Sequence, residues 1–213
     1  MKFSFSTLAC PGYTWADIYS MAKDLGFDGI EVRGLGNDIF DASKNMPFSP
    51  RLLPATRQKL ASLRLTIPCL SSGCCLRDGA TDETVAEVRA YIEAAESIGT
   101  PYVRVLGDLN PAPDGEVDDS ALRALLPYAE EKGVTLLVET NGVYSDTARL
   151  RAVLDRAPSD NVGALWDVHH PYRFAGEKPE TTVQNLGMYI KHVHIKDSAV
   201  AADGSVEYRL MGE

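Results

Sequence analysis

The chain has 213 residues, 45% hydrophobic and 24% charged, with a net charge of −9 and an isoelectric point near 5.0. That suffices for one full hydrophobic core. The acidic balance argues against nucleic acid and anionic membrane as main partners, because phosphate binding calls for a basic face.

The first residues, MKFSFSTLACPGY, carry one Lys and no apolar h-region, so they read poorly as a signal peptide. No stretch approaches the ~18 apolar residues of a membrane span. The four cysteines, Cys10, Cys69, Cys74 and Cys75, form no Cys-x-x-Cys pair. Reduced thiols in a cytoplasmic protein are expected.

Strand-like and helical runs alternate along the chain. KFSFST (2–7) is followed by a one-sided helix with Trp15, Ile18, Ala22 and Leu25 on its apolar face. Thr14 is its N-cap candidate and Gly26 its stop. GIEVR (29–33) is the second strand, followed by the Gly-rich loop GLGND and the helix SPRLLPATRQKLASLR. TIPCLSS (66–72) leads through the N-cap candidate Thr81 to Val85, Val88, Ile92 and Ala95, with Gly99 as the stop. YVRVLG (102–107) precedes a helix carrying Leu122, Leu125, Leu126 and Ala129, stopped by Gly133. TLLVET (135–140) precedes the N-cap candidate Ser145 and the stripe Leu150, Val153, Leu154 and Ala157. VGALWDV (162–168) and IKHVHIKD (190–197) are strands six and seven, and ADGSVEYRLMGE reads as a loop or short hairpin.

Short strands alternating with amphipathic helices predict a parallel sheet with helices outside. Seven such strands favour an α/β fold of the (β/α)8 TIM-barrel type. A doubly wound open sheet is the competitor, but Gly-x-Gly-x-x-Gly after the first strand is missing. The expected organisation is a single β/α barrel domain over 1–213, holding strands one to seven. Such barrels run to about 250 residues, so roughly 40–70 residues with strand eight are expected beyond this sequence. The edges of strands one and seven would then be exposed.

Glu139, Asp167 and His194 fall at the ends of three successive strands, 28 and 27 residues apart. That interval is about one strand, one helix and two loops. Equal spacing predicts the three side chains at one height on neighbouring strands, at the barrel's C-terminal face where active sites lie. Two carboxylates and an imidazole suit one divalent metal, Mn, Mg, Co or Zn. His170, three residues after Asp167, reaches the same site as a ligand, substrate contact or outer donor. His169 reads as an incidental neighbour and His192 as a side chain packed in the barrel. Lys196, at the strand mouth, is a candidate for a substrate hydroxyl or phosphate, or for an ion pair. Glu31 and Arg104 are charges inside apolar strands and need partners, either each other or other barrel charges. Arg104 is also a candidate anion contact. Trp166 and Tyr172 are candidate pocket walls, while Trp15 reads as helix packing. Loops 34–48, 73–81 and 108–117 are expected to set specificity.

At these residues the chain resembles the xylose isomerase-like barrel family of sugar phosphate isomerases and epimerases. WDVHHPYRFAGEKPE resembles its sixth-strand Asp-x-x-His segment and KHVHIKDS its seventh-strand His-x-Lys-Asp segment. GFDGIEVRG, YVRVLGD and VTLLVETNG resemble its second, fourth and fifth strands. The resemblance implies Glu139, Asp167 and His194 as ligands of one divalent metal, with His170 touching substrate or metal. The family's fourth ligand, a Glu after strand eight, has no counterpart here. The implied activity is a metal-dependent sugar or polyol isomerase or epimerase, working on an α-hydroxy carbonyl through an enediolate, with Glu139 as base. A dehydratase of a cyclic polyol or keto acid, or a non-catalytic barrel remnant, is the alternative. The abasic-site endonuclease branch fits poorly with a charge of −9 and four histidines. The implied partner is a small-molecule sugar or polyol. A homo-oligomer is compatible, since members of the family are often dimers or tetramers.

Overall fold

The structure, a computed structural model, describes residues 1–35, 38–39, 46–77, 79–109 and 118–213, with side chains at 38, 39 and 46 left out. Of the expected specificity loops, residues 36–37, 40–45, 78 and 110–117 lie outside the described residues.

Strands and helices alternate. They are β1 (Ser4–Ser6), α1 (Trp15–Asp24), β2 (Gly29–Glu31), the short pair β3 (Gly34–Leu35) and β4 (Asp38–Ile39), and α2 (Leu53–Leu63). Next come β5 (Cys69–Cys75), α3 (Asp82–Ile98), β6 (Tyr102–Leu106), α4 (Ser120–Lys132), β7 (Thr135–Glu139), α5 (Thr147–Asp155) and β8 (Val162–Asp167). The last are α6 (His169–Phe174), α7 (Pro179–Leu186), β9 (Ile190–His194), β10 (Asp197–Val200) and β11 (Val206–Arg209). β5, β6, β7, β8 and β9 form one sheet in chain order, every neighbouring pair parallel. β1 and β2 pair in parallel, and bridges Gly29–Thr66 and Val32–Leu70 carry the order on to β5. Seven parallel strands thus follow one another as expected of a TIM barrel. Among the described residues, β1 and β9 each have a strand partner on one edge only.

Alternation along the strands separates two environments. Leu136, Val138, Val162 and Ala164 face outward and join the core with helix residues such as Leu125, Leu150, Ile92 and Val88. Leu137 and Leu165 are also fully buried but stand outside that cluster, on the face shared with Glu139 and Asp167. The apolar layer thus lies between strands and helices, and the barrel interior is left to carry charge.

The cap residues agree at Thr14, where Asp17 completes a capping box, and at Thr81, Gly99 and Gly133. Four expectations need correction. Strand three starts at Cys69 rather than at 66, because Pro68 has no N–H to give the ladder. Strand seven stops at His194, and Asp197 instead opens the β10–β11 hairpin with the tail. Ser145 closes a 3-10 turn, so Asp146 caps α5 and accepts the Ala148 N–H at 3.1 Å. Leu25, assigned to the apolar face of α1, sits past its last turn and is 68% exposed.

Leu125 is 0% exposed in the layer between α4 and the sheet. Leu125→Ala removes buried methyls from a packed site and should lower stability by about 2–5 kcal/mol in urea unfolding. A loss well under that range would mean that this layer repacks freely.

Candidate metal centre

Glu139, Asp167 and His194 are the last residues of β7, β8 and β9. Asp167 and His194 are register partners, whereas Glu139 lies opposite Leu165, two residues before Asp167. The equal-height expectation is therefore off by one pleat between β7 and β8, as the stagger of tilted barrel strands requires. The longer Glu139 side chain still reaches the others. One ligand atom from each residue lies within 4.8 Å of the other two. Thr140 fixes Asp167 from the next strand: its hydroxyl donates to the Asp167 carbonyl at 3.1 Å and accepts the Asp167 N–H at 2.9 Å.

A third carboxylate completes the cluster. Glu31 projects from β2 and is 3% exposed, against 2% for Glu139 and 1% for Asp167. His194 spans Glu31 and Glu139. Its Nε2 lies 2.8 and 3.1 Å from the two Glu31 oxygens, and its Nδ1 lies 3.2 Å from Glu139 Oε1. His192 Nε2 approaches Glu31 Oε2 at 2.7 Å. Arg104 donates to Glu139 Oε2 at 2.7 Å and to the Ser72 carbonyl. Burial alone would push the Glu139 carboxyl up, but the His194 hydrogen bond and the Arg104 charge outweigh it and hold it at about 2. Glu31 is likewise held well below the carboxylate range, because the hydrogen bonds from His192 and His194 outweigh burial. For His194, burial opposes the charge, yet bonds to both carboxylates raise it to about 10.

The remaining site candidates fall around this cluster. Lys196 Nζ lies 2.8 Å from Asp167 Oδ2 and donates to His170 Nε2 at 2.9 Å. Burial lowers the His170 imidazole; Asp167 opposes that and Lys196 adds to it. His169 Nε2 lies 2.7 Å from the Ser198 hydroxyl at the start of the hairpin, and a ring nitrogen of His169 also lies within 4.8 Å of ligand atoms of Asp167 and His170. The Arg104 guanidinium is turned to Glu139, so its partners are other barrel charges and not Glu31. Trp15 packs against Phe48 and Tyr19. Tyr172 is 57% exposed, so it walls no buried pocket, and Trp166 keeps a buried indole nitrogen.

Sequence reasoning passed over Glu31 and His192 as parts of the site. Their signal was present in the alternation: Glu31 stands between outward Ile30 and Val32, and His192 is two residues from His194.

The donor set fits a divalent cation. The Nε2 of His194 faces a carboxylate and must carry hydrogen there. Its Nδ1 also faces a carboxylate, so without metal the ring is an imidazolium whose Nδ1 proton sits between nitrogen and carboxylate oxygen. A divalent cation would satisfy the same two atoms, with Asp167 as the third residue to hold it.

These features define a parallel β/α barrel with a carboxylate–imidazole cluster at the C-terminal ends of its strands. The family model of the xylose isomerase-like TIM barrel matches residues 19–212, and the chain belongs to that family. The chain is similar in structure to the probable 3-DHS dehydratase AsbF of Bacillus anthracis, with 20% identity, a TM-score of 0.80, and 95% of this chain and 75% of that one covered. A zinc-bound IOLI protein gives 18% identity and a TM-score of 0.74 over 93% and 73% of the two chains. The 3-keto-D-glucoside 4-epimerase YcjR of E. coli gives 16% and 0.71 over 92% and 79%. At these identities the likeness establishes the fold. No functionally curated protein matches the sequence. Among the described residues, no helix is long and apolar enough to cross a membrane.

The His194 shift has a testable sign. A group raised from 6.5 to about 10 contributes stability in full below its unfolded value and loses it as pH rises through about 10. In chelator-treated protein the melting temperature should therefore fall between pH 7 and 10.5. His194→Gln should flatten that fall; an unchanged alkaline slope would mean that the imidazolium bridge does not form.

Proposed function

We propose that the chain is a divalent-metal-dependent sugar or polyol isomerase or epimerase acting on an α-hydroxy carbonyl through an enediolate. The observation that carries this reading is the convergence of Glu139, Asp167 and His194 ligand atoms within 4.8 Å at the strand ends. Glu139, Asp167 and His194 would hold one ion, Mn, Mg, Co or Zn. When bound, the ion polarises a carbonyl and its neighbouring hydroxyl, so the α-hydrogen becomes acidic.

The residues divide the remaining work. Glu139 is ionised at neutral pH and serves as base for the α-hydrogen. Its other oxygen is steadied by Arg104, which keeps the carboxylate in place as charge moves. His170 and Lys196 form a polar pair beside Asp167 that orients substrate hydroxyls. The small-molecule substrate class is supported by the epimerase among the similar structures.

A dehydratase of a cyclic polyol or keto acid is the second reading. The Lys196–His170 contact favours it, since loss of a β-hydroxyl needs a proton donor beside the leaving oxygen. The similar B. anthracis structure, a probable 3-DHS dehydratase, points the same way. Water loss against epimer formation in a product assay separates the two.

Calorimetry with Co(II) or Mn(II) should give one ion per chain. Asp167→Ala should weaken binding by more than the roughly 10–100-fold that loss of an outer partner costs. On an active substrate, Glu139→Ala should lower kcat by about 10²–10⁴-fold, the usual share of a general base. Full turnover in that variant would remove Glu139 from the base role.

A further inference from the structure

We infer that Glu31 is the positioning residue of His194, holding the ring by Nε2 so that Nδ1 is the nitrogen presented to Glu139 and Asp167. The inference rests on the reading of His194 as a metal ligand and adds to it a residue from the opposite part of the strand order. Glu31 lies on β2 and His194 on β9, 163 residues apart, yet Nε2 meets both carboxylate oxygens at 2.8 and 3.1 Å.

Glu31 is built for this task. An imidazole has two nitrogens, and a neutral ring carries hydrogen on only one. A carboxylate accepts and cannot donate, so the nitrogen facing Glu31 is the N–H. The lone pair of the neutral ring is then left on Nδ1, the side facing Glu139 Oε1 at 3.2 Å. A carboxylate on the far N–H of a ligand histidine also makes the near nitrogen a stronger donor.

The carboxylate is itself held. Ser71 donates to Oε1, and His192 Nε2 meets Oε2 at 2.7 Å. Ser71 is 2% exposed and Glu31 3%, so water does not compete for these bonds. With three side chains on its two oxygens, Glu31 is occupied as an acceptor. This favours an orienting role over that of a further ligand. Glu31, His192 and His194 also lie close enough to hold a cation of their own. The count of bound ions decides between the two roles.

The test uses the chelator-treated full chain as wild type, Glu31→Ala, Glu31→Gln and His192→Gln. Each is titrated with Co(II), followed by its visible absorption, with melting curves recorded alongside. The expected result is one Co(II) per wild-type chain and a Kd weakened roughly 10–100-fold in Glu31→Ala. Glu31→Gln should recover most of the affinity, because its amide oxygen accepts the same N–H. His192→Gln should stay close to wild type. Zinc-loaded wild type should show His194 as the Nε2–H tautomer in long-range ¹H–¹⁵N spectra. This measurement stands even if Glu31→Ala does not fold.

Wild-type affinity in a folded Glu31→Ala, or an Nδ1–H tautomer, overturns the inference and leaves the metal reading intact. Two ions in wild type with one lost in Glu31→Ala overturn it in favour of a second cation site. A wild-type chain that takes up no Co(II) removes the metal reading and this inference together.

Discussion

Three carboxylates, Glu31, Glu139 and Asp167, are buried within one barrel interior, and each must find positive charge or hydrogen there. An unpaired buried carboxylate would be costly enough to protonate or to open the structure. Lys196 meets Asp167, Arg104 meets Glu139, and His192 meets Glu31. His194 is the joint, because among the described residues it alone bonds to two of the three. The rest of the interior follows from this matching. Arg104 is the register partner of Leu137, and from inside an apolar strand it reaches Glu139, one strand away and a pleat higher.

The frame around the cluster is stiff for ordinary reasons. The layer between strands and helices is apolar and closed, so the strand ends cannot drift apart without opening a core. Polar ties then fix the details. Thr140 bonds the Asp167 backbone in both directions, and the His169 N–H donates to Asp167 Oδ1 at 3.0 Å. Arg173 donates to the Ser198 hydroxyl and carbonyl while His169 meets the same hydroxyl, which docks the β10–β11 hairpin on α6. His169, an incidental neighbour by sequence, thus has a structural task next to the site.

A cluster of this kind is poised rather than neutral. On the proposed reading, the proton on His194 Nδ1 and a divalent ion would compete for the same atoms, so the hydrogen bonds that hold the cluster without metal would also hold its donors in place for one.

The sequence by itself determined the strand–helix alternation, the parallel order and the three strand-end ligand candidates. Each of these is written in local periodicity: apolar spacing of the helices, alternation of the strands, and repeats of 28 and 27 residues. Helix ends were legible where a Gly or a capping Thr marks them, and less so at Ser145, where a 3-10 turn competes with the cap. What only the tertiary structure decided is partnership. Glu31 could have met Arg104, but the strand order carries β2 and β9 to facing sides of one interior, and Glu31 meets His192 and His194 instead. No local pattern encodes a contact across 163 residues. It arises because a staggered ring of parallel strands turns inward side chains from distant segments toward one another.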